Sequence, residues 1–302
     1  MKKIVTWVGI SLGILIILIG ALVGGMHLLG RSRLAQAPAV IVQAIDLPSD
    51  QAALNRGAHI ANAISLCTDC HGQSLEGAVF MDEPPIGRVI APNLTGGQGG
   101  IGGAYTDEDW IRAIRHGVGG DGRTLAIMPS NAFAHLSDND LGALVAYLKS
   151  VPPVDNELPD REIIFPGTIF MGVLGYGELP VSLIDHNTVQ TVNGPAPGDA
   201  AALGEYLSHI GGCTECHGAQ LAGRVEENGP PPGPNLTTAG ELGNWNEADF
   251  INTLRTGTTP EGKNLDPEMM PWPWFATMSD EELQALWLYL QSLPPRNLGD
   301  NG

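Results

Sequence analysis

The chain has 302 residues, 43% of them apolar, and carries a formal net charge of −18. That length suggests about two domains, while 40 glycines and 23 prolines imply many turns and long surface connections. Strong acidity argues against nucleic acid as a partner, because phosphate binding needs a basic face.

The first segment stands apart from the rest. After Lys2 and Lys3 there is no Asp, Glu, Lys or Arg until Arg31. As a helix, residues 4–29 would measure about 39 Å, enough to cross a bilayer. Residues 1–37 are therefore read as an N-terminal membrane anchor. The basic start favours a cytoplasmic N-terminus, although Arg31 and Arg33 beyond the run weaken that charge argument. A cleaved signal peptide is the alternative, with Ala35-Gln36-Ala37 as its cleavage site. Against it, the apolar run far exceeds the roughly 7–15 residues of a signal core. His27 is expected to be interfacial.

Beyond the anchor, one pattern occurs twice. Arg56-Gly57-Ala58-His59-Ile60 precedes Cys67-Thr68-Asp69-Cys70-His71, and Leu203-Gly204-Glu205-Tyr206-Leu207 precedes Cys213-Thr214-Glu215-Cys216-His217. A loop follows each, ending in Ala91-Pro92-Asn93-Leu94-Thr95 or Gly233-Pro234-Asn235-Leu236-Thr237. Next comes a helix capped by Thr106 with Asp109, or by Asn246 with Asp249, and stopped by Gly117 or Gly257. Turns at Asp121-Gly122-Arg123 and Glu261-Gly262-Lys263 lead to Met128-Pro129 and Met270-Pro271. A last helix starts near Ser137 or Ser279 and halts at Pro152-Pro153 or Pro294-Pro295.

The repeat predicts two copies of one fold, at 38–155 and 198–302, joined by a connector at 156–197. The connector's apolar stretch, residues 163–176, is too short and too interrupted by Pro166 and glycines to span a membrane. It is expected to pack on one or both domains, with a partner-binding patch as the alternative.

The two pentapeptides use all four cysteines and match C-x-x-C-H, the signal for c-type haem attachment. Two disulfides, a four-thiolate zinc site or a thioredoxin-like pair would leave His71 and His217 unexplained. The pattern therefore predicts two covalent haems c, held by Cys67, Cys70, Cys213 and Cys216, with His71 and His217 as iron ligands. Attachment of this kind takes place outside the cytoplasm, so the bulk of the chain is expected on the periplasmic or extracytoplasmic side. All 33 acidic residues but only 11 of the 15 basic ones follow the anchor. Such a field suits docking to a basic patch on a redox protein, although it also serves solubility.

The second axial ligand decides the chemistry: His/Met ligation raises the potential and saturates the iron, whereas an open site permits catalysis. A Met is usually core filling, yet Met-Pro recurs at matching places, so Met128 and Met270 are the expected sixth ligands. His59, His116, His135, His186 and His209 have no histidine at the matching place in the other half and are expected to be structural or superficial.

Taken in order, N-terminal helix, C-x-x-C-H, Pro-Asn-Leu, helix, Met and C-terminal helix, each half resembles a class I cytochrome c domain. The resemblance implies an all-α fold, with a transmembrane helix ahead of two tandem domains. It also implies that the carbonyls of Pro92 and Pro234 accept a hydrogen bond from His71 and His217. Tyr147 and Tyr289 would pack where the terminal helices cross. Ala91 departs from the glycine that the family often has there. The exported chain is similar to membrane-anchored dihaem cytochromes c and, more distantly, to cytochrome subunits of periplasmic alcohol and aldehyde dehydrogenases. The implied role is outer-sphere electron transfer in a respiratory or photosynthetic chain, alone or as a subunit of an oxidoreductase complex, without a catalytic residue of its own. A dihaem peroxidase-type enzyme, with one exchangeable haem ligand, is the alternative.

Overall fold

The computed structural model describes residues 2–174, 179–225 and 232–301. Helix α1, Lys2–Ala35, is long and apolar enough to cross a membrane, and none of its most apolar stretch is buried. After an extended segment, α2 (Gln51–His59) runs through a π-helical turn (Ile60–Ile64) into α3 (Cys67–His71). Helices α4 (Asp107–His116), α5 (Ser130–Phe133) and α6 (Asp138–Ser150) complete the first half. The second half repeats this order: α8 (Ala200–Ile210), α9 (Cys213–His217), α10 (Glu247–Thr256), α11 (Trp272–Phe275) and α12 (Asp280–Ser292). The all-α expectation holds.

The helix boundaries follow local chemistry. Thr106 with Asp109, Asn246 with Asp249 and Ser279 with Glu282 form reciprocal capping boxes, so free N–H groups at each helix start find acceptors. Gly117 (φ 68°) and Gly257 (φ 67°) end α4 and α10 in the left-handed region, where a side chain would be strained.

In each half the first and last helices cross at a glycine. A Cβ on Gly57 would lie 2.1 Å from the carbonyl oxygen of Ala143, and one on Gly204 would lie 2.0 Å from that of Ala285. Backbones this close leave no room for any side chain. The aromatics expected at the crossings are there, with the Cβ atoms of Tyr147 and Tyr289 against the two glycines.

The halves share one continuous apolar core: Ile60, Ile64, Trp110 and Leu144 from the first join Leu207, Ile210, Phe275 and Leu283 from the second. Around it the polar contacts are reciprocal. Tyr206 on α8 donates to Asp140 on α6 at 2.7 Å, and His59, at the matching place on α2, donates to Glu282 on α12 at 2.7 Å. Arg56 forks between them, reaching Asp140 at 2.8 Å and Glu282 at 3.0 Å. His135 and His209 stack across the same boundary, ring centres 4.5 Å apart.

One element carries no strong sequence signal. Strands β1 (Ala78–Glu83) and β2 (Gly87–Ala91) form an antiparallel hairpin, and β3 (Glu162–Ile163) in the connector adds to it through Gly87–Ile163 and Arg88–Glu162 pairs. Its turn is Pro84-Pro85-Ile86 rather than an Asn-Gly type, and its third strand comes from far along the chain. The connector then forms α7 (Gly167–Ile169) and a second π-helical turn (Phe170–Leu174). Tyr176, which closes the apolar stretch read in the sequence, lies outside the described residues.

This connector packs on the outer end of α1 and on the first half. Leu34, Val89, Val118, Met171 and Val181 make a separate small core there. His186 donates its Nε2–H to the carbonyl of Val181 and accepts from His116 at 3.0 Å. Burial, His186 and Arg115 together push His116 down to about 4, so it is uncharged at neutral pH.

Burial raises the Glu282 carboxyl, but hydrogen bonds from His59 and Ser279 and the charges of His59 and Arg56 outweigh this and bring it down to about 2, against an ordinary 4.5. A depressed carboxylate stabilises the fold fully above its unfolded value and loses that contribution as pH falls through its folded value. Glu282→Gln is therefore expected to cost about 1–3 kcal/mol at pH 7, towards the lower end because Arg56 and His59 stay partly open to water. The mutant should also show a shallower loss of stability between pH 4.5 and 2. Denaturant unfolding of wild type and mutant across that range checks both.

Candidate haem-binding sites

Each site is assembled from three backbone pieces. The first is the C-x-x-C-H turn itself, short helices α3 and α9, each entered through a left-handed residue, Leu66 (φ 51°) or Gly212 (φ 70°). None of the four cysteines is in a disulfide, and all are half-buried. Burial pushes the thiols of Cys67 and Cys213 up to about 12 and that of Cys70 to about 11, so ahead of any attachment they are neutral. No group of three or more His, Cys, Asp or Glu suited to a metal ion occurs among the described residues, which leaves the zinc alternative without a ligand set.

The second piece is the Pro-Asn-Leu-Thr loop. His71 Nδ1–H donates to the carbonyl of Pro92 at 2.8 Å, and His217 Nδ1–H donates to that of Pro234 at 2.8 Å. With Nδ1 engaged, the free lone pair of each neutral ring is on Nε2, which suits it to ligate a metal. Burial lowers both histidines, against a smaller opposing effect of the proline carbonyl, which keeps the rings neutral.

The loop that offers these carbonyls is itself pinned. Asn93 is fully buried; its Oδ1 accepts from Thr95 N at 2.9 Å and Thr95 Oγ1 at 2.8 Å, while its Nδ2 donates to the carbonyl of Val154 at 2.8 Å. Asn235 repeats this with Thr237 and the carbonyl of Arg296, at 2.9, 2.8 and 2.7 Å. Beneath the loops, Gly77 (φ 80°) and Gly223 (φ 82°) donate to the carbonyls of His71 and His217, and a Cβ at either would strike the backbone N of Asn93 or Asn235. Leu75 and Leu221 hold matching left-handed conformations, both buried, and their carbonyls receive the N–H of Leu94 and Leu236. Side-chain burial and the loop bonds hold this backbone strain in place.

The third piece carries Met128 and Met270. Each packs half-buried against the core, and its carbonyl accepts the N–H two residues on, from Ser130 or Trp272, at 2.7 Å in both cases. The prolines that follow share one backbone shape, φ −76° with ψ 59° for Pro129 and φ −76° with ψ 51° for Pro271. Arginines on the preceding helices close each methionine segment. Arg115, almost wholly buried, donates to the carbonyl of Leu136 at 2.7 Å and pairs with Asp138 at 2.8 Å. Arg255 donates to the carbonyl of Met278 at 2.7 Å and pairs with Asp280 at 2.6 Å.

Trp110 supplies a test of fit. It is 2% exposed, and its Nε1–H finds no acceptor among the described residues. A buried donor left unpaired is costly, and a haem, with its propionate oxygens, would bring an acceptor that this chain does not. By its spacing in the sequence Trp110 is only an apolar position of the helix that Thr106 caps. The arginine hooks were equally unforeseen as structural devices, although Arg-x-Gly recurs at the end of both helices.

Comparison with known proteins agrees with this geometry. The family model for cytochrome c matches residues 54–152 and 201–294, one match over each half. The chain is 29% identical over 272 residues to the fructose dehydrogenase cytochrome subunit of Gluconobacter japonicus, covering 80% of this chain and 53% of that protein. It is 30% identical over 287 residues to the cytochrome c subunit of the quinone alcohol dehydrogenase of Gluconobacter oxydans, covering 84% and 58%. A dihaem c-type cytochrome of Cereibacter sphaeroides is 28% identical over 230 residues, covering 69% and 73%. The chain thus spans somewhat over half the length of the first two relatives.

Thr95→Val removes one hydroxyl from the loop that holds the Pro92 carbonyl, at nearly constant volume. It is expected to cost about 1–2 kcal/mol and to broaden or shift the visible absorption of one haem while leaving haem content intact. Thr237→Val should do the same for the other. Denaturant unfolding, pigment-stain quantification and low-temperature spectra test this.

Proposed function

The chain belongs to the cytochrome c family and carries two covalently bound haem c groups, and on that premise we propose that it is a membrane-tethered electron-transfer subunit of a dehydrogenase complex. Haem c supplies a one-electron iron couple to such a subunit. In this reading Cys67 and Cys70 carry one group and Cys213 and Cys216 the other. His71 and Met128 ligate the first iron, His217 and Met270 the second. Pro92 and Pro234 set the orientation and basicity of the ligating rings through their carbonyls.

The observation that carries the proposal is the repetition of the whole site. Both halves have a His held on a Pro carbonyl and a Met ahead of the same proline turn. Two fully ligated irons suit electron transfer, because nothing needs to bind or leave. A dihaem peroxidase-type enzyme would require one half to differ at the methionine, and neither does.

We further propose the division into an anchor at 1–37, domains at 38–155 and 198–302, and a connector at 156–197. Two of the relatives named above are cytochrome subunits of a fructose and an alcohol dehydrogenase, and the proposed partner is a catalytic subunit of that general kind. Docking would run through a basic patch on the partner, drawn by the acidity of the exported part and weakened by salt. Helix α1 would keep the protein at the membrane with both haems outside the cytoplasm. Its outer end is built into the fold through Leu34, which supports retention over cleavage.

Met128→Ala is expected to lower the potential of one haem and leave the other unchanged, as potentiometric titration of the purified protein will show. Met270→Ala should give the complementary result. Carbon monoxide binding by the resting ferrous wild type would instead favour the peroxidase reading. Capture of the tagged chain from detergent-solubilised membranes should bring down a dehydrogenase subunit, whereas recovery of the chain alone would count against the complex.

A further inference from the structure

The connector leaves an apolar surface in the open beside α1. Ile164, Phe165, Phe170 and Leu174 are 40%, 56%, 44% and 60% exposed, all within a stretch of eleven residues. A soluble surface seldom gathers this much apolar area in one place without a use for it.

Its position along α1 identifies that use. His27 Nδ1 lies 2.6 Å from Thr168 Oγ1, and the His27 ring meets Phe165 edge-on with centres 5.6 Å apart. One turn further, Gly30 approaches so closely that a Cβ there would lie 2.1 Å from the Thr168 carbonyl oxygen, while Gly172 packs on its Cα. Arg33 donates to the carbonyl of Gly172 at 3.1 Å. The connector therefore grips α1 over residues 27–33 and leaves the preceding apolar turns bare.

The length of α1 sets the depth of this grip. Residues 4–29 rise about 39 Å as a helix, against a hydrocarbon core of about 30 Å. The end of the run thus reaches the headgroup layer, and residues 27–29 of it lie where the connector takes hold. Aromatic and aliphatic side chains presented at that level, with Arg31 and Arg33 on the water side, match the composition of an interfacial segment.

We propose that Ile164, Phe165, Phe170 and Leu174 form a second membrane contact, a monotopic foot that rests in the boundary between phospholipid headgroups and acyl chains. The inference rests on α1 being a retained anchor. A single helix leaves the domain above it free to swivel, and a foot beside it does not. Because the first half is joined to foot and anchor through Leu34, Val89, Val118 and Met171, the foot sets the tilt of that half above the bilayer.

The site reading leaves no native thiol free, so an introduced cysteine can be labelled uniquely. The full chain with its haems, carrying Phe170→Cys and a nitroxide, is placed in phosphatidylcholine–phosphatidylglycerol vesicles in the reduced state. Its collision rates with oxygen and with a water-soluble nickel chelate are then measured. Leu28→Cys on α1 and Leu288→Cys on α12, both exposed leucines, serve as lipid and solvent references. The expected oxygen-to-nickel ratio at 170 is several-fold above that at 288 and approaches that at 28. A ratio at 170 equal to that at 288, with 28 in lipid, overturns the foot alone. Protection of 170 from both reagents also overturns it, since a protein would then cover the patch. Solvent-like values at both 28 and 170 overturn the anchor and the foot together.

Discussion

The crossing of the first and last helices of each half, backbone on backbone at Gly57 and Gly204, is the constraint from which the rest of the molecule follows. With no side chain between them the two backbones lie directly against each other. The end of the first helix must then deliver its C-x-x-C-H turn to one side of the closing helix, where the Pro-Asn-Leu-Thr loop waits. The same crossing aims the outer faces of α2 and α8 at the other half. That is why residue 59 reaches Glu282 and residue 206 reaches Asp140. A repeat whose helices crossed at greater distance would keep its motifs but lose its mutual grip.

Within that frame the two sites are rigid for a shared reason. Each ligating histidine is held by a carbonyl, the loop that offers this carbonyl is pinned by its buried asparagine, and the asparagine bonds a backbone oxygen beyond the closing helix. No link of this chain is charged, so its strength varies little with pH or salt. Charged contacts act elsewhere: at the boundary between halves, where Arg56 serves two acids at once, and at the methionine segments, where Arg115 and Arg255 pair with Asp138 and Asp280. Electrostatics therefore governs how the halves meet and how the methionine segments close, while neutral hydrogen bonds hold the histidines.

Much of this was legible from residues alone. Thr106 with Asp109, Gly117 and the double prolines are local signals, because their effect depends on neighbours within a few positions. The haem motif and the Met-Pro step were legible because they recur. What escaped was non-local. Strand β3 is two residues long and exists only because β2 offers it an edge. The pairing of His59 with Tyr206 as matched interface residues needs both halves in view. The embrace of α1 by the connector depends on Gly30 and Gly172, which read in isolation as loop or helix glycines without a partner. The unpaired Trp110 N–H could not be found from its spacing, since apolar periodicity is silent about a polar atom.

The π-helical turn at Ile60–Ile64 has a consequence of its own. Ten positions separate Gly57 from Cys67, but nine separate Gly204 from Cys213, and the wider turn takes up the surplus residue without disturbing either end. The two copies are therefore out of step by one residue, and the wider turn accommodates the difference. Counting from Gly57 matches the copies as far as His59 and Tyr206, and past the turn they match only when counted back from the cysteines. Ser65, whose hydroxyl bonds the carbonyl of Ile210 at 3.1 Å, lies just past the slip. A seam between the copies thus has a fastening on one side that its twin lacks, and a repeat built of like halves has a front and a back.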